Sequence, residues 1–577
     1  MTERIAELDE PILAFDFVGD ANAATAGGLT ARDAAVAAIA TLPMALEACG
    51  EGGSSSGGTP TPAPTPSPTT TPLTPAQASR FLTQATMGAS KVDITNLQAT
   101  TIDAWLTTQL GLARPQKFWD FLANNGYNVV ANINSQAGFD AMVWSQLISS
   151  SDTLRQRVGL ALLDMIVVSI DGFSSSWRSN VVAAYLDVLW DNAFGNYRDI
   201  LDGVAGSAAM AYYLTFLGNT KANATTGSVP DENFARELMQ LFTLGLYQLN
   251  PDGSQVLSGG KPVETYSQAD VSGLARVWTG WGLANRDDSS PDRMRLPLVA
   301  TASQHETGVT TFLTTTIPAG TDAATSKRLA LDAIFAHANV PPFVSKQLIQ
   351  HLVTSNPSPG YVGRVSAVFA NNGNGVRGDM KAVIRAILTD SEARSDSNIT
   401  STSFGKLREP VVRLTQWARA FGVTSPTNLW PFGNTNSTAT RLGESPGHAP
   451  SVFNFFRPGY TPPGSSISAQ GLVAPEFQIV NEPSVVAYIN YMQTLIVSGA
   501  GEAKADYTSL SSLIADSQAL LNELNLILAA GQISAGTIAS LKAALDSIAV
   551  TTTAGQNNRL YAAIVLVMAA PEYLVQK

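Results

Sequence analysis

Glu232, Arg236 and Glu237 fall within one helical segment, Ser228-Val-Pro-Asp-Glu-Asn-Phe-Ala-Arg-Glu-Leu-Met-Gln-Leu-Phe-Thr-Leu-Gly245, and their types are those of hydrolytic chemistry. A carboxylate at Glu237 or Glu232 serves as a general base, and a guanidinium at Arg236 holds an anion or a developing negative charge. Arg276 lies on the flank of a second segment, Tyr266-Ser-Gln-Ala-Asp-Val-Ser-Gly-Leu-Ala-Arg-Val-Trp-Thr-Gly-Trp281. His305 and Glu306 follow in a loop, as an acid or as a nitrogen and oxygen pair for a metal. The same residue types also make Arg-carboxylate locks that fix the register of two helices. Site and lock both stand open at this level.

Other chemistry is sparse. Of the four histidines, His337 and His351 fall in helical runs and read as packing or surface residues, whereas His305 and His448 sit in loops and are the candidates for proton transfer. No H-E-x-x-H pair and no G-x-S-x-G elbow is present. Asn372-Gly-Asn-Gly-Val-Arg-Gly lacks the strand and lysine of a phosphate loop and reads as a turn before a helix starting at Asp379. No cofactor is implied. The loop from Pro450 to Gly464 gathers aromatics around Arg457, as an aromatic-lined carbohydrate or peptide groove or as a rigid loop pinned to the core.

Helical period must position these groups. Apolar spacing at three and four predicts helices over 152–169, 180–193, 231–244, 267–279, 325–337, 341–353, 360–371, 378–390 and 407–420. Ser228 with Asp231 reads as a capping box, Ser267 with Asp270 as another, and Gly245 and Gly280 as stops. Short hairpins are expected around 249–265 and 310–316, and Pro/Gly-rich loops over 424–485. A helical pair over 507–530 and 533–549 and a closing helix over 557–575 complete a mainly α body with a few short hairpins. Domains are set at 75–495 for the main helical part and 496–577 for a C-terminal segment packing on it.

The chain has 577 residues, a net charge of -11 and only 14% charged side chains. A phosphate backbone needs a basic stripe, so nucleic acid is excluded as a partner. Cys49 is the single cysteine, which rules out an intramolecular disulfide. It follows an apolar run, 34–46, of signal-peptide length, and Leu46-Glu-Ala-Cys49-Gly resembles a lipobox. Residues 1–48 are accordingly expected to be an export signal of a degenerate twin-arginine or lipoprotein type, with the one Arg32, and Cys49 a lipidation site. Residues 49–74 read as a tether, floppy in its Gly/Ser part and extended at about 3.1 Å per residue in its Thr/Pro part. The expected location is the periplasm or the outer membrane or cell surface.

The segments around Glu232 and Arg276 resemble the two hallmark blocks of the domain-of-unknown-function 1800 family of bacterial exported proteins. Leu154-Arg-Gln-Arg-Val, His305-Glu-Thr-Gly, Lys346-Gln-Leu-Ile, Val376-Arg-Gly-Asp-Met-Lys-Ala-Val, Lys406-Leu-Arg-Glu-Pro-Val and Pro450-Ser-Val-Phe-Asn-Phe-Phe-Arg-Pro-Gly-Tyr fit the same family. The resemblance implies a helical, exported protein of no established activity, with an exported sulfatase-like protein as a partner. Many members carry His-Asn-His where this chain has Leu163-Asp-Met165, and a second histidine where it has Gln304. A metal site built on those histidines would be missing here. Two functions are therefore expected: a lipid-anchored binding or scaffold protein for a partner or surface polymer, or an extracytoplasmic hydrolase using Glu232, Arg236, Glu237, Arg276 and His305.

Overall fold

The computed structural model describes residues 72–577 except Arg286. The export signal over 1–48, Cys49 and the tether up to residue 71 lie outside the described residues. Helices dominate, and the strands form two-stranded pairs only. Among the described residues no helix is long and apolar enough to cross a membrane.

Local chemistry explains most boundaries. The first described helix, Pro75–Ala85, starts at a Thr74/Gln77 capping box with proline in its first turn. Ser267 and Asp270 form the expected box ahead of Gln268–Ala275, and Asp379 caps Met380–Thr389. The helices Thr153–Met165, Arg178–Asn192, Ala323–Ala336, Val340–Leu352 and Pro359–Ala370 lie where apolar period places them. Both expected hairpins form, Leu257–Ser258 with Lys261–Pro262 and Thr310–Phe312 with Thr315–Ile317.

One continuous core runs from Ala78 to Tyr573. The C-terminal helices Ser517–Ala529 and Thr553–Ala569 pack on each other, and the first of them also packs on Pro75–Ala85 and on Pro410–Ala420. Val575–Gln576 then pairs antiparallel with Lys406–Leu407. That pairing corrects the expected 407–420 helix. Residues 406–409 are extended, and the helix opens only at Pro410, behind Glu409.

Two further corrections concern the Glu232 segment. Ser228 does not cap it, because Ser228 is tied back to Thr226 and bridged to Asn223 in the preceding loop. The helix runs only from Asn233 to Gln240, with the Asp231 carboxylate accepting from the Asn233 N–H. Residues 241–245 then turn, and the Leu244 and Gly245 amides both donate to the Met239 carbonyl while Gly245 takes a φ of 73°. The expected 267–279 helix likewise tightens after Ala275 into a 3-10 turn over Arg276–Trp278.

Candidate functional site

Five elements meet around a buried cluster of charges. Thr153–Met165 brings Arg157 and Asp164, and the last turn of Val340–Leu352 brings His351. The strand Lys406–Leu407 and the extended residue before Pro410 bring Lys406 and Glu409. The irregular stretch after residue 424 adds Glu444 and Asn454, and the Pro475–Ile479 turn adds Glu476. Lys406 and Glu409 lie three positions apart, on either side of the end of this short strand, and their side chains meet in the interior.

The geometry is specific. Lys406 Nζ donates to Glu409 Oε1 at 2.7 Å and to the His351 carbonyl at 2.8 Å, and it lies 3.0 Å from Glu476 Oε1. Arg157 also donates to the His351 carbonyl, at 2.6 Å. Asp164 Oδ1 accepts from the Asn454 amide at 2.5 Å, while its Oδ2 lies 3.7 Å from His351 Nδ1. Asn454 is held in the left-handed region at φ 56°, which asparagine tolerates better than most residues. Lys406 and Glu409 are each 1% exposed as side chains.

A charge taken out of water must be paired or neutralised, and the cluster does both. Burial opposes the charge on Glu409, but Lys406 and Arg157 outweigh it and hold the carboxyl at about 2. Burial also pulls Lys406 down, and Glu409 and Glu476 reverse this, leaving it above its ordinary value. Burial, with Glu409 and Glu444 beside it, pushes Asp164 well above the usual carboxyl range. Glu444 is lifted to about 8 by burial and then by Glu409, and Glu476 is raised by burial. Burial and then Lys406 push His351 down to about 3, so its imidazole is neutral.

Through Asp164 this cluster borders a cleft of about 890 Å³. Tyr247, Phe343, Phe453 and Tyr460 supply aromatic surface, and Gln240, Gln255, Gln347, Gln350 and Asn356 supply amides. The Pro450–Gly464 loop forms one wall, with Arg457 stacked 4.6 Å over Phe453. Asp164 lines the cleft and also two small cavities behind it. One, of about 20 Å³, is shared with His351, Asn454 and Glu476, and the other, of about 10 Å³, with Glu409 and Glu444.

The residues singled out from sequence do not join this cluster. Glu232 accepts from Arg236 at 3.1 Å, Gln268 at 2.7 Å and Ser272 at 2.5 Å, and these bonds, Ser272 first, hold its carboxyl below the usual value. Arg276 pairs instead with Glu306 at 3.3 Å, and Glu306 also accepts from the Gly308 amide. The two arginines thus belong to separate ion pairs. Glu237 is 7% exposed with Oε2 unpartnered, and burial raises its carboxyl. His305 is buried with Nδ1 3.0 Å from the Thr279 carbonyl and Nε2 unpartnered. None of these five lines the cleft or the two cavities. Arg236 with Gln268, and Arg276 with Glu306, tie neighbouring segments together.

His448 lies between two carboxylates, Nδ1 2.7 Å from Asp171 and Nε2 2.9 Å from Asp140. Burial works against its charge, but the two carboxylates outweigh this and raise the imidazole above its ordinary value. It pins the Glu444–His448 stretch to the start of the Phe139–Ser149 helix and to the segment following Thr153–Met165.

The charged centre escaped the sequence reading because its members are single residues scattered from 157 to 476. One signal was present. Asp164 stands alone in Leu160-Ala-Leu-Leu-Asp-Met-Ile-Val-Val, and a lone carboxylate in an apolar run has to be buried with partners.

No curated protein and no solved structure matches this chain. A family model described as a protein of unknown function, DUF1800, matches residues 80–575, which takes in every element that lines the cleft and the charged centre. With that span covered, the chain belongs to the DUF1800 family.

Proposed function

We propose that the protein binds a segment of a neutral, polar surface polymer, saccharide in kind, in the 890 Å³ cleft. The observation that carries this reading is the lining. Aromatic faces accept the apolar face of a sugar ring, side-chain amides exchange hydrogen bonds with hydroxyls, and a volume of this size suits a short oligomer. A second reading, cleavage of that polymer, is favoured by one fact: Asp164 belongs both to the cleft and to the carboxylate-rich centre behind it.

Calorimetric titration with a panel of neutral oligosaccharides tests both. Phe453→Ala removes a half-buried aromatic side chain of the cleft wall and lowers affinity by about tenfold, on the order of 1 to 2 kcal/mol. Asp164→Asn keeps binding and abolishes release of reducing ends if cleavage occurs. Unchanged affinity in Phe453→Ala, or no binding by the panel, removes the saccharide reading.

We further propose that this body lies outside the cytoplasm, on a lipid at Cys49 and held off the membrane by residues 49–74. It rests on the lipobox-like Leu46-Glu-Ala-Cys49-Gly and the Thr/Pro tether. Labelled palmitate enters the wild-type chain and not Cys49→Ser; equal labelling of the two defeats the anchor.

A further inference from the structure

We infer that Asp164, His351 and Glu409 form a binding site for a first-row divalent metal ion of the Zn²⁺ or Mn²⁺ class. One ligand atom from each of the three lies within 4.8 Å of the others, the one such group among the described residues. The donor set, one imidazole and two carboxylates, suits these ions, whereas Ca²⁺ asks for six to eight oxygens. Ligand distances of about 2.0–2.2 Å require the three atoms to close by a fraction of an ångström to about one.

The orientation of the carboxylates supports this beyond their proximity. Each has one oxygen held by a nitrogen donor and the other buried without a partner. Asn454 holds Asp164 Oδ1 and leaves Oδ2 free, while Lys406 holds Glu409 Oε1 and leaves Oε2 free. Outer groups that fix one oxygen and present the other are how ligating carboxylates are oriented.

A third unpartnered oxygen comes from outside the trio. Glu476 is 2% exposed, Lys406 engages its Oε1, and its Oε2 has no hydrogen-bond partner. Glu476 lines the cavity of about 20 Å³ together with Asp164 and His351. That volume holds one water-sized occupant. Buried carboxylate oxygens are rarely left bare; Glu409 lines the second cavity rather than this one, and an ion among Asp164, His351 and Glu409, next to both, satisfies oxygens that Lys406 and Asn454 do not reach.

Lys406 is the obvious objection, since an ammonium repels a cation. Its donors are already spent on Glu409 Oε1, Glu476 Oε1 and the His351 carbonyl. It therefore screens the oxygens facing it and leaves the second oxygen of each carboxylate for the ion. The inference concerns the ion alone, and it stands or falls separately from what the cleft binds.

The full chain, stripped with a chelator and titrated with ZnCl₂ and with MnCl₂, tests it by calorimetry, elemental analysis and thermal midpoint. One equivalent of at least one ion binds, and the midpoint rises in its presence. His351→Gln and Asp164→Asn, checked for wild-type circular dichroism, weaken binding at least about tenfold. His305→Gln, at another buried imidazole, binds as wild type does. Cobalt(II) substitution adds a visible absorption band that His351→Gln loses. A stripped protein that takes up neither ion, or binding that survives His351→Gln and Asp164→Asn unchanged, overturns the site and leaves the cluster as a proton-neutralised ion-pair network.

Discussion

Lys406→Met lowers the stability of the metal-free protein by about 3–5 kcal/mol, the usual cost of removing one partner from a buried ion pair. The ammonium is 1% exposed and engages Glu409, Glu476 and the His351 carbonyl. Methionine fills much of the same volume, so the loss is electrostatic and not a packing defect. What remains is two buried carboxylates deprived of their cation, and Arg157 reaches Glu409 only at 3.9 Å. Lys91→Met is the control. Lys91 pairs with Glu523 at 2.8 Å but is 45% exposed, and such pairs contribute about 0–1 kcal/mol. Denaturant midpoints of the two variants give the comparison, and equal shifts would show that the Lys406 cluster is wetter than its burial implies. The pH dependence has a definite sign. Glu409 is depressed from 4.5 to about 2, so its contribution is complete above about 4.5 and disappears as pH falls toward 2. Without Lys406 that acid-side loss begins at higher pH.

Gly273→Ala destabilises by about 1–3 kcal/mol, although alanine is the better helix former. A Cβ there would stand 1.9 Å from the Thr311 carbonyl oxygen, and backbone cannot rotate away as a side chain does. Thr311 belongs to the Thr310–Phe312 hairpin strand, and the following Leu313 amide donates to Asp270, the residue that completes the cap of Gln268–Ala275. Moving the hairpin off therefore strains that bond too. Gly111→Ala provides the opposite case. It closes the Ile102–Gly111 helix with open space around it, so the same substitution there stabilises by several tenths of a kcal/mol. Thermal midpoints that move in the same direction for both variants would refute the close-approach argument.

The difference between what was legible in the sequence and what was not follows from the range of the forces involved. Helices are written in nearest-turn periodicity, and caps such as Ser267 with Asp270 are complete within four residues, so both could be read. Residues 406–409 could not, because their extended form depends on Val575–Gln576, far along the chain. The Glu232 segment attracted attention through its local density of charge. Glu232, Arg236 and Arg276 find partners locally or on the adjoining segment, whereas Glu237 keeps one buried oxygen unpartnered. The charged centre has the opposite character: its one or two residues per element come from elements far apart in the chain. His351 illustrates this, since nothing in Val340–Leu352 reveals that its last turn ends against Asp164 and Lys406. The aromatic loop is pinned to the body through buried Phe456 and lines the cleft with Phe453 and Tyr460.

The two-residue pairing of Lys406–Leu407 with Val575–Gln576 makes the charged centre indivisible along the chain. Its carboxylates and cations come from positions 157, 164, 406, 409, 444 and 476, and the strand carrying Lys406 is completed only by residues past 574. Any fragment that stops short of this span keeps some of the charges and loses their opposite numbers or the strand that seats them. The centre is therefore not a module that can be trimmed, transplanted or mapped by deletion; it exists only as a property of the whole body, and single substitutions are the scale at which it can be dissected.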